Sequence, residues 1–184
     1  MTTALAAGDV RIDFTDERYT LVDTAFLARV PDMSVRNWQA RGMFTVGHKH
    51  PASGRWFFSL CDALRLAVMH DLCVRPGLDF GPRKASVIAD FVIDAAMKNL
   101  AEPDDGYRRN LNVLVAWDEA GEMLVTTADI KHPGSYYPPV NNDEYAPLRR
   151  SIIAIPASAM LIDLGLRTEQ LTHRNARAEA PNHV

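Results

Sequence analysis

The sequence predicts an α+β fold, with short helices and a hairpin in its first half and a small mixed α/β module after them. Apolar residues recur at helical spacing in several segments. Two pairs of β-prone runs flank polar turns. Pro76-Gly77 and Gly81-Pro82 then punctuate the chain between the two halves. On this basis residues 1–17 are a flexible start, 18–76 one domain, 83–171 a second module, and 172–184 a flexible tail.

Thr20 suits the N-cap of a first helix through Asp23 to Arg29, with Leu21, Ala25, Phe26 and Val30 on or near one face. Val30-Pro31-Asp32 breaks it, because proline is poor inside a helix and good at a helix start. A second helix is expected from about Asp32 to Arg41. Val35 and Trp38, three apart, point to the core, while Ser34, Arg36, Asn37 and Arg41 face outward, and Gly42 closes it as a left-handed cap. The strand-like run Met43 to Val46, a polar loop spanning Thr45 to Ser53, and the run Arg55 to Phe58 read as a hairpin, or wing. Ser59 caps a third helix with Leu60, Ala63, Leu64, Ala67, Val68 and Leu72 at helical spacing.

In the second half, Lys84 to Leu100 is amphipathic, with Val87, Ile88, Phe91, Val92, Ala95 and Ala96 as its apolar stripe. Glu102 to Gly106 is a polar break. Leu111 to Trp117 and Met123 to Thr127 flank Asp118 to Glu122 as a hairpin. A Pro/Gly/Tyr loop, His132 to Asn142, precedes a β-like run, Ser151 to Ile155. Ser158 to Leu171 reads as helix, although Leu161-Ile162 also suits a strand. Thr172 to Val184 lacks apolar periodicity and is expected to be mobile.

At 184 residues, 47% hydrophobic and 23% charged, the chain is in the ordinary globular range, long enough to bury a core. No run approaches 18 apolar residues, so no membrane partner is expected, and the small apolar start carries no basic region of a signal peptide. Cys61 and Cys73 stand twelve residues apart in one helical stretch, too far to bridge, which suits buried thiols in a reducing, cytoplasmic compartment. The net charge is −3, but its distribution is uneven. From Tyr19 to Arg75, seven basic residues (Arg29, Arg36, Arg41, Lys49, Arg55, Arg65, Arg75) stand against four aspartates (Asp23, Asp32, Asp62, Asp71), an excess of three positive charges.

Tyr19-Thr20-Leu21, Ser34-Val35-Arg36-Asn37-Trp38, Gly42-Met43 and Gly54 through Ser59 with Asp62 form an ordered set of motifs. Residues 19 to about 72 therefore resemble the winged helix-turn-helix of the MerR-like superfamily. That pattern runs aromatic-Thr-aliphatic, Thr-Leu-Arg-x-Trp/Tyr, Gly-aliphatic, then Gly-Tyr-Arg-x-Tyr-Ser and an Asp opening the next helix. The match covers less than a third of the chain. Arg29 stands where the family has a turn glycine, which weakens the expected left-handed turn. The wing reads Arg55-Trp56, with the arginine shifted by one, and the family's long dimerising coiled coil is absent.

The resemblance implies a sequence-specific, double-stranded DNA-binding transcriptional regulator of bacterial or phage type, nucleoid-associated, with no cofactor, no metal and no catalysis. On the second helix, Asn37 suits bidentate reading of adenine, and Arg36 or Arg41 suits guanine or phosphate. Ser34 suits a phosphate near the helix start. In the wing, His48, Lys49, His50 and Arg55 are the backbone-gripping candidates. Structural alternatives stand beside these roles: Arg36 in a salt bridge to Asp62 or Asp23, Trp38 as core, and His48-x-His50 as a solvated tip rather than half of a metal site. The C-terminal module would supply a homodimer contact, or a surface for RNA polymerase or another regulator. Asp104-Asp105, Asp118-Glu119 and His132 with Ser135 lack a nucleophile or phosphate loop beside them. Two other readings are a ligand sensor whose α/β module holds a small molecule, with Tyr136 to Pro139 as a candidate lining, and an excisionase-like architectural DNA-binding protein.

Overall fold

A computed structural model describes residues 13–43, 47–78, 80–101, 111–117, 123–129 and 153–179. The expected run 44–46, the polar break at 102–106, the hairpin turn at 118–122, the loop at 132–142 and the last residues of the tail lie outside them. The fold is α+β, with five helices, a two-stranded hairpin and a three-stranded antiparallel sheet among the described residues.

Helix α1 (Leu21–Ala28) starts where the capping pattern places it. The Thr20 side chain accepts the Asp23 N–H at 3.3 Å, and the Asp23 carboxylate accepts the Thr20 N–H at 3.2 Å, so two otherwise orphaned donors are satisfied reciprocally. The helix ends in a left-handed residue despite the missing glycine: Arg29 has φ 55° and ψ 38°. Val30 N–H returns to the Ala25 carbonyl at 3.0 Å and Arg29 N–H to Phe26 at 3.2 Å, closing the cap. A left-handed conformation costs a residue with a Cβ about 1–2 kcal/mol, so something outside the turn must hold it.

Helix α2 (Asp32–Ala40) follows after Pro31 and is closed by Gly42 at φ 60°. Strands β1 (His48–Lys49) and β2 (Trp56–Phe57) form the hairpin, with His48 opposite Phe57. Strand β1 lies inside the segment read as a polar loop, and Met43 is in a bend, while residues 44–46, the rest of the expected strand, lie outside the described residues. Phe58 is fully buried and exchanges two backbone hydrogen bonds with Tyr19, at 2.9 and 3.0 Å, just ahead of α1. That bridge sets the register of β2, and β1 takes the partners that remain.

Helix α3 (Leu60–Val74) opens on a second reciprocal cap between Ser59 and Asp62. Helix α4 (Pro82–Ala101) begins at a proline, whose missing N–H has no intrahelical acceptor in that position. Its buried face is Ala85, Ile88, Ala89, Val92, Ile93 and Ala96. The expected stripe is thus rotated, because Val87 and Phe91 are each 47% exposed. Fully buried alanines at 85, 89 and 96 let α4 lie close against α3. Strand β3 (Leu111–Trp117) is central in the sheet, between β4 (Met123–Asp129) and β5 (Ile153–Ile155), both antiparallel to it. Helix α5 (Ala157–Glu179) covers the segment that also suited a strand, and it runs on through 172–179, where a flexible tail was expected. One buried cluster runs from Val35 and Leu64 through Ile88 and Val92 to Val115, Ile155 and Leu164.

Polar bonds fasten α5 to α1. Arg167 is 6% exposed, and it donates to the Leu27 carbonyl at 2.5 Å and the Phe26 carbonyl at 3.4 Å. These carbonyls belong to the last turn of α1, where helices leave acceptors unpaired and favour a cation. Asp163 pairs with Arg167 on its own helix and with Arg29 at 2.9 Å. Further along, Arg174 lies 3.3 Å from Asp23 and covers the Phe26 ring at 5.1 Å. Burial, with the nearby Arg29 charge, lowers the Arg167 pKa to about 10, which leaves it charged at neutral pH.

Two predictions follow from this packing. Arg167→Met keeps the bulk but leaves the Leu27 carbonyl without its donor, so the urea midpoint is expected to fall by an amount equivalent to about 1–3 kcal/mol. An unchanged midpoint would show the clasp to be neutral. Cys61 and Cys73 are free and partly buried, and burial raises both thiols, Cys61 to about 11 with Asp62 adding to the effect. Since only the thiolate reacts, alkylation of Cys61 at pH 8 is expected to be roughly a hundredfold slower than that of an ordinary thiol. It accelerates as pH rises or on unfolding, and mass spectrometry of timed quenches reads it.

Candidate nucleic-acid interface

Helix α2 has a clear inside and outside. Val35 is fully buried and Trp38 is half-buried against the core, so the tryptophan is an anchor. Arg36, Asn37 and Arg41 are exposed on the other side, whereas Ser34 is half-buried rather than facing fully outward. Nine residues at 1.5 Å each give a rod of about 14 Å, matching the width of a DNA major groove.

Arg36 is not bonded to Asp62 or Asp23. Its Nε lies 3.7 Å from Asp32, one helical turn earlier, with both side chains at least half exposed. Asp62 is occupied by Ser59 and Arg65, and Asp23 by Thr20 and Arg174. An exposed pair at this spacing contributes only about 0.3–0.5 kcal/mol, so Arg36 can exchange Asp32 for another anion at little cost.

Other basic residues of this segment are committed internally. Arg29 is held by Asp163, Arg65 by Asp90 and Asp62, and Arg75 by Asp71 and the Ala154 carbonyl at 3.3 Å. Arg41, Lys49 and Arg55 have no ion-pair partner among the described residues. Within residues 19–75 and among the described residues, they and Arg36 place the basic side chains not committed to internal carboxylates on α2, its C-cap and the hairpin that follows it. Fewer residues therefore carry exposed charge than the sequence count suggests.

The hairpin histidines do different things. His48 is paired with Glu17, a partner that no motif points to, and that carboxylate competes with any phosphate. His50 accepts the Ser53 N–H at 3.2 Å on Nδ1 and presents its ring to the edge of Phe57 at 6.2 Å. His50 N–H donates to the Arg55 carbonyl at 2.7 Å, and Gly54 N–H returns to the His50 carbonyl at 2.8 Å, closing the tip. Lys49 and Arg55 stand exposed beside it. Among the described residues no group of three His, Cys, Asp or Glu is placed to hold a metal ion. None of the described helices is long and apolar enough to cross a membrane. Asp163 and Arg167, which brace the turn ahead of α2, also escaped the sequence reading. Their four-residue spacing was visible, but their target 134 or more residues away was not.

No protein-family model matches the chain, and no curated protein matches it. The geometry of the site therefore stands on its own.

Two glycines test how rigidly the hairpin is held. Gly47 has φ 67°, and a Cβ there would lie 2.4 Å from the Phe57 carbonyl and 2.9 Å from the Phe58 ring. Gly54 has φ 66°, but its nearest atom would be the Lys49 side chain at 3.7 Å. Gly54→Ala carries only the left-handed strain, about 1 kcal/mol. Gly47→Ala adds a backbone clash and is expected to cost clearly more in thermal denaturation, with loss of amide protection at Lys49 and Phe57. Equal costs would show that the hairpin shifts freely.

Proposed function

We propose that the chain is a sequence-specific DNA-binding transcriptional regulator. In this reading residues 19–74 act as a winged helix-turn-helix of MerR-like kind. Helix α2 enters the major groove, and the hairpin grips the adjacent phosphates. One observation carries the reading: α2 turns Val35 and the half-buried Trp38 to the core and leaves Arg36, Asn37 and Arg41 exposed, followed by a hairpin whose Lys49 and Arg55 have no ion-pair partner among the described residues. A groove-binding helix needs that division between an anchored side and a side that reads bases.

Asn37 is the base-reading candidate, with a short amide suited to adenine, and Arg36 reads guanine or clamps phosphate. Lys49 and Arg55 add charge without sequence preference. Two copies related by two-fold symmetry would place their α2 helices in successive major grooves. A modest positive excess per copy favours such pairing, since affinity rises with each phosphate neutralised. The regulator acts by occlusion or recruitment at a promoter, with no chemical step, and the homodimer or polymerase contact falls to the C-terminal half.

Gel-shift with the full chain on DNA selected from a random pool tests this. Asn37→Ala and Arg36→Ala, each with an unchanged circular dichroism spectrum, are expected to weaken binding by about 1–3 kcal/mol and to relax the selected motif. Lys49→Ala is expected to weaken all sequences alike and to lower the slope of log affinity against log salt by about one. Unaltered binding by both α2 variants would remove this helix from the interface.

A further inference from the structure

The outward side of α2 holds more than polar residues. Met33 is 60% exposed, and Ala40 is exposed as well, one toward each end of the face that carries Arg36 and Asn37. At about 100° per residue, Met33 and Ala40 fall within about 20° of one line along the helix, with Arg36 and Asn37 about 40–60° to either side. The fully buried Val35 lies on nearly the opposite side. The midline of the exposed face is therefore apolar, and the two groups able to hydrogen-bond to a base flank it. Asp32 stands on the Arg36 flank, about 90° from that line, and its carboxylate is paired with Arg36 at 3.7 Å.

A single apolar side chain on a surface is ordinary. Its place is what distinguishes Met33. A helix lying in a major groove turns its midline to the base edges, and the apolar group those edges present is the C5 methyl of a pyrimidine. The other groups there are hydrogen-bond donors and acceptors, which a hydrocarbon chain with one weakly accepting sulfur matches poorly. Met33 is unbranched with three rotatable bonds, so it can settle on a methyl without a fixed approach. Ala40 lies about 10 Å further along, or roughly three base-pair steps, and its short side chain lets the helix sit close to the groove floor.

Building on the DNA-binding reading of α2, on which it depends, we propose that Met33 is a specificity residue that packs against the C5 methyl of a pyrimidine beside the base pair read by Asn37 or Arg36. In unmodified DNA that pyrimidine is thymine, and 5-methylcytosine presents the same group. The contact removes apolar surface of both partners from water. Unmodified cytosine in the same place offers only its amino donor, for which Met33 is a poor acceptor. Met33 thus adds a preference that neither flanking residue supplies, since Asn37 and Arg36 read hydrogen-bonding edges.

The test uses the full chain and the DNA selected from the random pool, in gel-shift titrations at fixed salt. Each thymine of the site is replaced in turn by deoxyuridine, which pairs alike but lacks the methyl, and each cytosine in turn by 5-methylcytosine. Loss of the methyl at one thymine is expected to weaken binding about fourfold. Met33→Gln, similar in length and a good helix former, is expected to bind the two DNAs alike, whereas Lys49→Ala keeps the difference. A gain at a 5-methylcytosine with no loss at any deoxyuridine, again removed by Met33→Gln, assigns the contact to methylated DNA. Insensitivity to every methyl, or a difference of full size that survives Met33→Gln, overturns the contact. With Arg36→Ala and Asn37→Ala still weakening binding, that result strikes only the role of Met33. Unaltered binding by those two variants strikes the reading of α2 itself, and this contact with it.

Discussion

Arg167 carries a charge into the interior, where it meets the last carbonyls of α1 and a carboxylate of its own helix. Moving a cation out of water is unfavourable unless its donors are matched. Here the closer acceptor, the Leu27 carbonyl, is one that a helix end leaves unsatisfied, so each feature relieves the other. Asp163 extends the arrangement to Arg29, the one residue with a side chain that sits at positive φ among the described residues. The turn that aims α2 is therefore held from the far end of the chain. Without that support the left-handed arginine would be a local cost with no return.

This explains how the turn between α1 and α2 stays left-handed without a glycine. Glycine makes such a turn locally, by lifting the steric penalty. Arginine makes it through tertiary bonds: Arg29 reaches Asp163, while the cap hydrogen bonds to Ala25 and Phe26 fix the backbone. The two solutions differ in what they allow. A glycine turn is indifferent to the rest of the protein, whereas the turn at Arg29 registers any change at α5.

Much of the architecture was legible from short-range chemistry. Thr20 with Asp23 and Ser59 with Asp62 marked two helix starts because the capping residues and their partners lie three positions apart. The pairing of β3 with β4 was visible as two apolar runs around an acidic turn. What failed depended on distant partners. On α4, apolar residues occupy more than one face, and periodicity alone could not choose Ala85, Ala89 and Ile93 over Val87 and Phe91; close packing on α3 did. The pairing of His48 and Lys49 with β2 lies in a segment read as a polar loop, and the bridge of Phe58 to Tyr19 beside it joins residues far apart in the chain. At the candidate interface the exposed face of α2 was readable from the Val35–Trp38 spacing. The commitment of Arg29, Arg65 and Arg75 to internal carboxylates was not, since two of the partners come from α4 and α5.

The bonds between α1 and α5 join residues 134 to 151 positions apart, nearly the span of the chain. During synthesis on a ribosome, the first two helices emerge long before the residues that secure their turn. Contacts of such sequence separation are slow to form, because a long loop must close first. The turn between α1 and α2 therefore gains these bonds only after translation has passed α5. A nascent chain stalled before residue 163 would be expected to be an easier target for proteases and chaperones than its length alone suggests.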